Sequence, residues 1–408
     1  MKSYRLADVI RIKHGYAFSG EYIRDNDNDN GIVLVTPGNF KIGGGFQEDK
    51  CKFYTGDIPN EYILKGGDLV VTMTDLSKTI DTLGYSAYIP LSSRIYLHNQ
   101  RIGLVTLISD EFDKDYIYWL MRTQYYQRKI ANSSTGATVH HTSPSKIYEF
   151  KFDAPDINVQ KKISSILTSY EKLIENNNKR IKILEQMAEN LYKEWFVRFR
   201  FPGYETAEFV EGVPKGWKRC RLKEFINFNP NYKTEKKQYY TNIPMAALST
   251  NGMYINEAEI SLEEKSSGTH FRNGDVLFAK ITPCLENGKT GLVTCLKDNE
   301  IGVGSTEFIV MQGAKVSSFF TYCIARNDLF RQLAINSMNG ADGRQRADIS
   351  FIQNIKWILP DDEILLKFEH ITSAIIKQIN ILHKQNQNLI KQRDYLLPRL
   401  MSGKVQVK

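Results

Sequence analysis

The chain repeats itself at a nearly constant interval, and that interval limits the folds open to it more than any other feature. "LKGGDLVVTMTD" (64–75) aligns with "FRNGDVLFAKIT" (271–282), which sets Gly67-Asp68 against Gly274-Asp275. "STGA" (134–137) aligns with "MNGA" (338–341), and "DAPD" (153–156) with "ILPD" (358–361). Asp68 and Asp275 are 207 residues apart, Gly136 and Gly340 are 204 apart, and Pro155 and Pro360 are 205 apart. Three separated matches at one spacing indicate two diverged copies of a unit of roughly two hundred residues. A chain of 408 residues has length for about two to four cores, so each copy is expected to build its own.

Both copies have the same internal order. Short apolar or alternating runs broken by Gly, Pro and Asn read as strands and loops; they include "GIVLVTPGNF" (31–40), "GDLVVTM" (67–73) and "RIGLVTLI" (101–108) in copy one. Their counterparts in copy two are "GDVLFAKI" (274–281), "GLVTCL" (291–296) and "EFIVMQ" (307–312). A helical stretch follows in each, 115–131 and 317–334, then a polar Gly-containing loop, a last strand and a Pro-Asp step. Asp156 and Asp361 are placed as helix N-caps.

Beyond each Pro-Asp the apolar spacing becomes 4-3. Positions 163, 167, 170, 174, 177, 181, 184, 188, 191 and 195 read Ile, Leu, Tyr, Ile, Asn, Ile, Leu, Ala, Leu, Trp, and copy two continues Phe368, Ile371, Ile375, Ile379, Leu382, Asn386, Leu389 and Leu396. This is a coiled-coil seam, with Asn177 and Asn386 as single polar residues of the kind that fix register. The alternative is two amphipathic helices, each packed on its own domain. The expected fold is α+β: two α/β domains related by a pseudo-two-fold axis, joined by two long helices in an antiparallel coiled coil. The expected segments are 1–155, 156–200, 201–360 and 361–408, with residues 157–195 making a rod about 58 Å long. Two domains so related suit a DNA duplex read at two separated half-sites.

A net charge of +8, with 22 tyrosines among the lysines and arginines, favours a polyanionic partner. No apolar run approaches the roughly 20 residues that span a bilayer, and "MKSYRLAD" lacks a signal-peptide core, so a cytoplasmic location is expected. Cys51, Cys220, Cys284, Cys295 and Cys323 show no C-x-x-C pair and read as free thiols.

Catalytic motifs fail one by one. "ITPCLENGKTG" (281–291) ends like a phosphate-binding loop, but the position five before Gly288 is Pro283, which has no N–H to aim at phosphate. "NPNY" (229–232) lacks the second proline of an amino-methyltransferase and a Gly-rich partner; it reads as a turn after a strand. "DNDNDNG" (25–31) mimics a calcium loop but has Pro37 where a bidentate Glu belongs. "PDDEILLK" (360–367) puts its acids at a helix start, where they favour the dipole. His140 and His141 are adjacent, so a strand points them to opposite faces, away from a shared metal.

Polar loops in repeated positions remain. In copy one they supply Thr74, Lys78 and Thr79, then His140, His141 and Lys146; in copy two, Lys280, Thr282, Asn287 and Lys289, then Arg344, Gln345 and Arg346. Arg forks onto guanine O6 and N7, and Asn or Gln onto adenine N6 and N7, so these are the candidate DNA-binding residues. Leu191, Trp195 and Phe196, matched by Leu396, Leu400 and Met401 at the 205 offset, are the candidate anchors for a protein partner.

Four stretches carry a resemblance: "YEKLIENNNKRIKILEQMAENLYKEWFVRFRFPGYE" (170–205), "EGVPKGWK" (211–218), "YLLPRLMSGKV" (395–405) and "ITPCLENGK" (281–289). With the duplicated layout, they make the chain resemble the specificity subunit of type I restriction–modification systems over essentially its whole length. The resemblance implies two target recognition domains joined by two conserved helical regions. It also implies double-stranded DNA as ligand, two modification subunits that carry AdoMet and methylate adenine, and motor-nuclease subunits that use ATP and Mg. This chain would hold no cofactor or metal, contact no membrane and catalyse nothing. Copy one departs from the pattern by beginning without the P-x-G-W lead seen at 214–217. A stand-alone DNA-modifying enzyme, opposed by the missing motifs, and a coiled-coil scaffold with protein-binding ends, opposed by charge and loop chemistry, are the competing readings.

Overall fold

The repeated Gly-Asp is a turn that both copies close in the same way. Gly67 and Gly274 hold φ of 85° and 94°, a region that side chains with a Cβ rarely enter. The following aspartate reaches back three residues: Asp68 Oδ2 accepts from the Lys65 amide at 2.8 Å, and Asp275 Oδ2 from the Arg272 amide at 2.9 Å. Out of this turn runs a wholly buried strand, Leu69–Thr72 in copy one and Val276–Ala279 in copy two. Successive strand side chains point to opposite faces, so each strand feeds two cores. Leu69 and Val71 join the core that contains the helices, while Val70 faces the second sheet; Val276 and Phe278 divide from Leu277 in the same manner.

The computed structural model describes residues 1–27, 31–48, 50–77, 79–233, 239–264, 267–340 and 343–407. Lys78, residues 28–30 of the calcium-like run and 341–342 of the second polar loop lie outside the described residues. The chain divides into two compact units, 1–176 with 386–408, and 177–385.

In the first unit a four-stranded sheet runs in the order Ile10–His14, Ile102–Leu107, Leu69–Thr72, Ser86–Tyr88. A five-stranded sheet runs Ile23–Arg24, Lys52–Tyr54, Ile32–Val35, Ile95–His98, Ile63–Leu64, with the third and fourth strands parallel. The second unit repeats the four-stranded sheet and has a four-stranded counterpart of the other. One sheet is Ile226–Phe228, Phe308–Gly313, Val276–Ala279, Thr290–Leu292. The other is Ser261–Glu263, Tyr240–Ile243, Gly302–Gly304, Thr269–Phe271, again with its middle pair parallel. "NPNY" is the turn leaving Ile226–Phe228: Asn229 has φ 47°, and the Tyr232 hydroxyl donates to Asp275 Oδ2 at 2.8 Å. The strand Lys2–Arg5 pairs with Lys151–Ala154 just as Lys218–Arg221, the strand after P-x-G-W, pairs with Lys356–Leu359.

Each predicted helical stretch is two short helices. Lys114–Leu120 and Gln124–Asn132 are N-capped by Asp113 and Thr123; Ser318–Arg326 and Asp328–Asn336 by Ser317 and Asn327. The long helices are Ile157–Tyr192, followed by a π turn Lys193–Val197, and Asp362–Met401. Asp156 accepts from the amides of Asn158 and Val159 at 3.0 and 3.2 Å, and Asp361 from that of Ile364 at 2.9 Å. Both aspartates are N-caps; with Glu363 paired to Lys367, the acids of "PDDEILLK" serve the helix start.

In the first unit, Ile163 and Leu167 from the start of the first long helix share a core with Leu397, Leu400 and Met401 from the end of the second. In the second unit, Ala188 and Tyr192 near the end of the first share a core with Ile364 and Phe368 at the start of the second. Start meets end in each unit, which is antiparallel pairing. Asn177 and Asn386 are buried in the helices. None of the five cysteines forms a disulfide, and among the described residues no helix is long and apolar enough to cross a membrane.

Candidate nucleic-acid interface

The two polar loops of each copy meet at one end of its Gly-Asp strand. In the first unit the strand continues into Thr74–Asp75, which pairs antiparallel with His140–His141. The Met73 amide donates to the Arg101 carbonyl, the Thr142 amide to the Met73 carbonyl, and Thr135 and His141 exchange backbone hydrogen bonds at 3.0 and 2.8 Å. The second unit repeats these bonds one for one. The Lys280 amide donates to the Glu307 carbonyl, the Ala347 amide to the Lys280 carbonyl, and Asn339 and Arg346 exchange bonds at 3.0 and 2.9 Å. This weave makes Met73 equivalent to Lys280, Arg101 to Glu307, Thr135 to Asn339 and His141 to Arg346. Gly136 and Gly340, with φ of 109° and 127°, turn the polar loop into it. A Cβ on Gly136 would lie 2.0 Å from the Val139 carbonyl oxygen, so no other residue fits there.

The side chains on the weave differ between copies. Thr74 is buried, and its Oγ1 lies 3.0 Å from His141 Nδ1, a hydrogen bond that orients the exposed imidazole. Asp75 is buried too and organises the loop after it. Its carboxylate accepts from the Ser77 amide at 2.6 Å, the Thr82 amide and hydroxyl at 2.7 Å each, and the Leu83 amide at 3.1 Å. Burial alone would raise its pKa, but the bonds from Thr82 and Ser77 outweigh burial and hold it below the usual carboxylate value. Thr79 is exposed on this loop and donates to Asp81 at 2.6 Å. His140 is half-buried, and Lys146 donates to the Ser133 carbonyl, which ties the loop back to its helix.

In the second unit the exposed Arg346 points its guanidinium at Glu307: Nε lies 3.0 and 2.9 Å from the two carboxylate oxygens and Nη2 lies 2.7 Å from Oε1. Hydrogen bonding to Arg346 is the main reason the Glu307 carboxyl titrates lower than usual. Arg344 is exposed and Gln345 half-buried beside it, with the Gln345 carbonyl accepting from the Thr282 amide at 3.1 Å. The Thr282 hydroxyl is buried with no hydrogen-bond partner among the described residues.

"ITPCLENGKTG" folds as consecutive turns anchored by buried Leu285. Lys289 Nζ donates to the Met245 carbonyl at 2.9 Å, and Arg326 donates to the Gly288 carbonyl at 3.0 Å. Lys289 is therefore a latch within the domain. Asn287 is exposed on the turn, and Lys280 sits half-buried next to Glu307. The weave thus brings together Thr74, His140 and His141 in one unit, and Lys280, Thr282, Gln345 and Arg346 in the other. Among the described residues no group of His, Cys, Asp and Glu has metal-binding geometry.

The six candidate partner anchors are mostly inside. Trp195, Phe196, Leu400 and Met401 are buried, and Leu191 and Leu396 pack half-buried against the same cores. The expectation of an exposed cluster is corrected: Phe196 packs 4.9 Å from both Phe320 and Phe368, so these residues seal their own units. The large apolar side chains exposed on the long helices are instead Leu173, Ile183, Met187, Leu366, Ile371, Ile381, Ile390 and Tyr395.

Sequence reading missed Glu307, Arg101 and Asp75. The repeat offset could have paired Arg101 with Glu307, but opposite charges at equivalent positions gave no similarity to notice.

Each copy is an α/β unit on paired long helices and carries the same backbone weave at the same place. The model of the type I restriction modification DNA specificity domain matches residues 1–186 and again 214–392, and the chain belongs to that family. It is a specificity subunit with two target recognition domains, a DNA-recognition chain and not a catalytic one. The type I restriction enzyme MjaIX specificity subunit of Methanocaldococcus jannaschii is 26% identical over 72% of this chain and 69% of its own length. The EcoAI specificity subunit of Escherichia coli is 31% identical over 40% of this chain and 29% of its own. The crystal structure of the S subunit from a type I restriction–modification system of M. genitalium superposes with a TM-score of 0.57 at 13% identity, covering 98% of this chain and 96% of that one, which extends the likeness of fold to the full length.

Proposed function

We propose that the chain reads a bipartite DNA target, one half-site per recognition domain, and brings modification and motor-nuclease subunits to it for adenine methylation or restriction. The observation that carries this reading is the weave: two copies of one backbone network, each presenting polar and basic side chains beside a buried strand. Arg344, Gln345 and Arg346 with Lys280, Thr282 and Asn287 would face the second half-site. Lys78, Thr79, His140, His141 and Lys146 would face the first; Thr74 would act through His141, and Lys289 through the loop it holds in the second unit. The different side chains on the two weaves support an asymmetric target. AdoMet, ATP and Mg belong to the partner subunits in this reading, and the complex works in the cytoplasm.

The exposed apolar residues on the long-helix segments of each unit are the proposed docking positions for the modification subunits. Exposed side chains such as Leu366 (66%) and Met187 (54%) are what a partner helix would cover. The reading is tested by measuring DNA affinity against salt and methylation with and without a modification subunit. Contact with about six phosphates gives a log–log salt slope near −5, and methylation should require the partner. Affinity unchanged by salt, or methylation by this chain alone, would contradict it.

A further inference from the structure

We propose that Glu307 is a positioning residue for base reading: it fixes the guanidinium of Arg346 so that the outer edge of that group reads a guanine in the second half-site. This rests on the reading above that the weave of the second unit faces DNA.

A guanidinium has two edges able to grip a pair of acceptors, a side edge made of Nε and Nη2 and an end edge made of Nη1 and Nη2. Glu307 occupies the side edge, taking Nε on both oxygens and Nη2 on one. The end edge keeps Nη1 and the second proton of Nη2. The contact from Nη1 to the Arg344 carbonyl is 3.5 Å, at the weak limit for such a bond. Two acceptors in a plane, as guanine offers at O6 and N7, fit that edge.

Both ends of the ion pair are fastened to the weave. The Glu307 carbonyl accepts from the Lys280 amide at 3.0 Å and its own amide donates to Ser305 Oγ at 3.2 Å. Arg346 exchanges both backbone bonds with Asn339. The arginine therefore meets DNA with its plane already set, and little rotamer freedom is left to lose on binding. The pair is half open to water, with the Arg346 side chain 49% exposed and that of Glu307 22%. Such surface pairs add little to stability, so stitching the fold is a poor reason for it. Phosphate binding explains the pair less well, because it needs only charge, which Lys280 beside Glu307 also supplies, and not the plane that Glu307 fixes. Base reading needs the geometry and tolerates the neutral pair. The first unit has Arg101 and His141 at these two positions, so the device is confined to the second half-site.

The test uses the full chain with its modification partner on DNA libraries randomised at each half-site, reading which sequences become methylated. The wild-type protein should require a G·C pair at one position of the second half-site. Glu307→Ala and Glu307→Gln should each lower that preference about tenfold, the size of a lost bidentate contact, with the first half-site unchanged. Arg346→Lys, which keeps charge but loses the fork, should do the same. If Arg346→Ala relaxes that position while both Glu307 variants leave it intact, Arg346 reads unaided and the inference is overturned. An equal loss on all sequences in the Glu307 variants overturns it as well, since Glu307 would then only hold the fold. If neither residue affects any position, the inference is overturned, and the DNA-reading role itself is judged separately by whether the wild-type chain directs methylation to any defined sequence.

Discussion

At the scale of single residues, Asp75 shows how a residue outside the proposed DNA contacts holds the loop that carries some of them. Its carboxylate gathers three amides and a hydroxyl from the segment 77–83, which carries Thr79. The folded-state pKa is depressed, so the stabilisation is present above the unfolded value of about 3.9 and is lost as pH falls through the lower folded value. Asp75→Asn should cost about 1–3 kcal/mol at neutral pH by weakening charge-assisted bonds. Thermal denaturation from pH 3 to pH 7 checks this: the gap between wild type and variant should be constant above about pH 5 and narrow as pH falls below about 4. A gap that stays constant at acid pH would show that the carboxylate charge is irrelevant. Arg344, Gln345 and Arg346 stood out in the sequence as candidates because their types match base edges. Glu307 did not, since its importance comes from a partner 39 residues away that no local pattern exposes.

At the scale of elements, both polar and aromatic contacts fasten the copies to their long helices. In the first unit a polar stripe of the helix grips the recognition domain. Gln160 accepts from the Asp113 amide at 3.0 Å, Ser164 donates to Asp113 at 2.7 Å, Thr168 accepts from Trp119 Nε1 at 3.0 Å and Glu171 pairs with Arg122 at 2.7 Å. In the second unit Phe368 packs among Trp195, Phe196, Phe319 and Phe320. The Arg122 side chain is 3% exposed, so Glu171→Ala strands a buried charge and should cost about 3–5 kcal/mol. Denaturant unfolding of that variant is the check, and a cost under about 1 kcal/mol would mean that water already screens the pair. The heptad pattern made both helices legible, and the repeat made the sheets legible as a matched set. Strand pairing was hidden, because the parallel pair Ile32–Val35 with Ile95–His98 joins segments far apart in sequence. Trp195 and Phe196 were expected outside for a related reason: apolarity marks burial, but sequence alone does not say whether the cover is the chain itself or a partner.

At the scale of the whole molecule, the proposed function needs two readers that act independently and a fixed interval between what they read. One heptad added to each long helix keeps the seam in phase and adds about 10 Å of helix. The non-specific spacer in the target should then grow by up to about three base pairs, with DNA bending able to absorb part of the change, and both half-site sequences should persist. Sequencing the methylated sites of such a variant reads this out: altered half-sites with an unaltered spacer would show that the helices do not set the interval. The central claim, that each copy reads its own half-site, is tested most directly by methylation-sensitive sequencing of a genome in cells expressing the chain and its modification partner. Wild type is compared with a variant carrying Arg344→Ala, Gln345→Ala and Arg346→Ala. The account predicts a two-part target whose second half loses about 1–3 kcal/mol of discrimination per lost contact while the first half is unchanged. Loss spread evenly over both halves would contradict it.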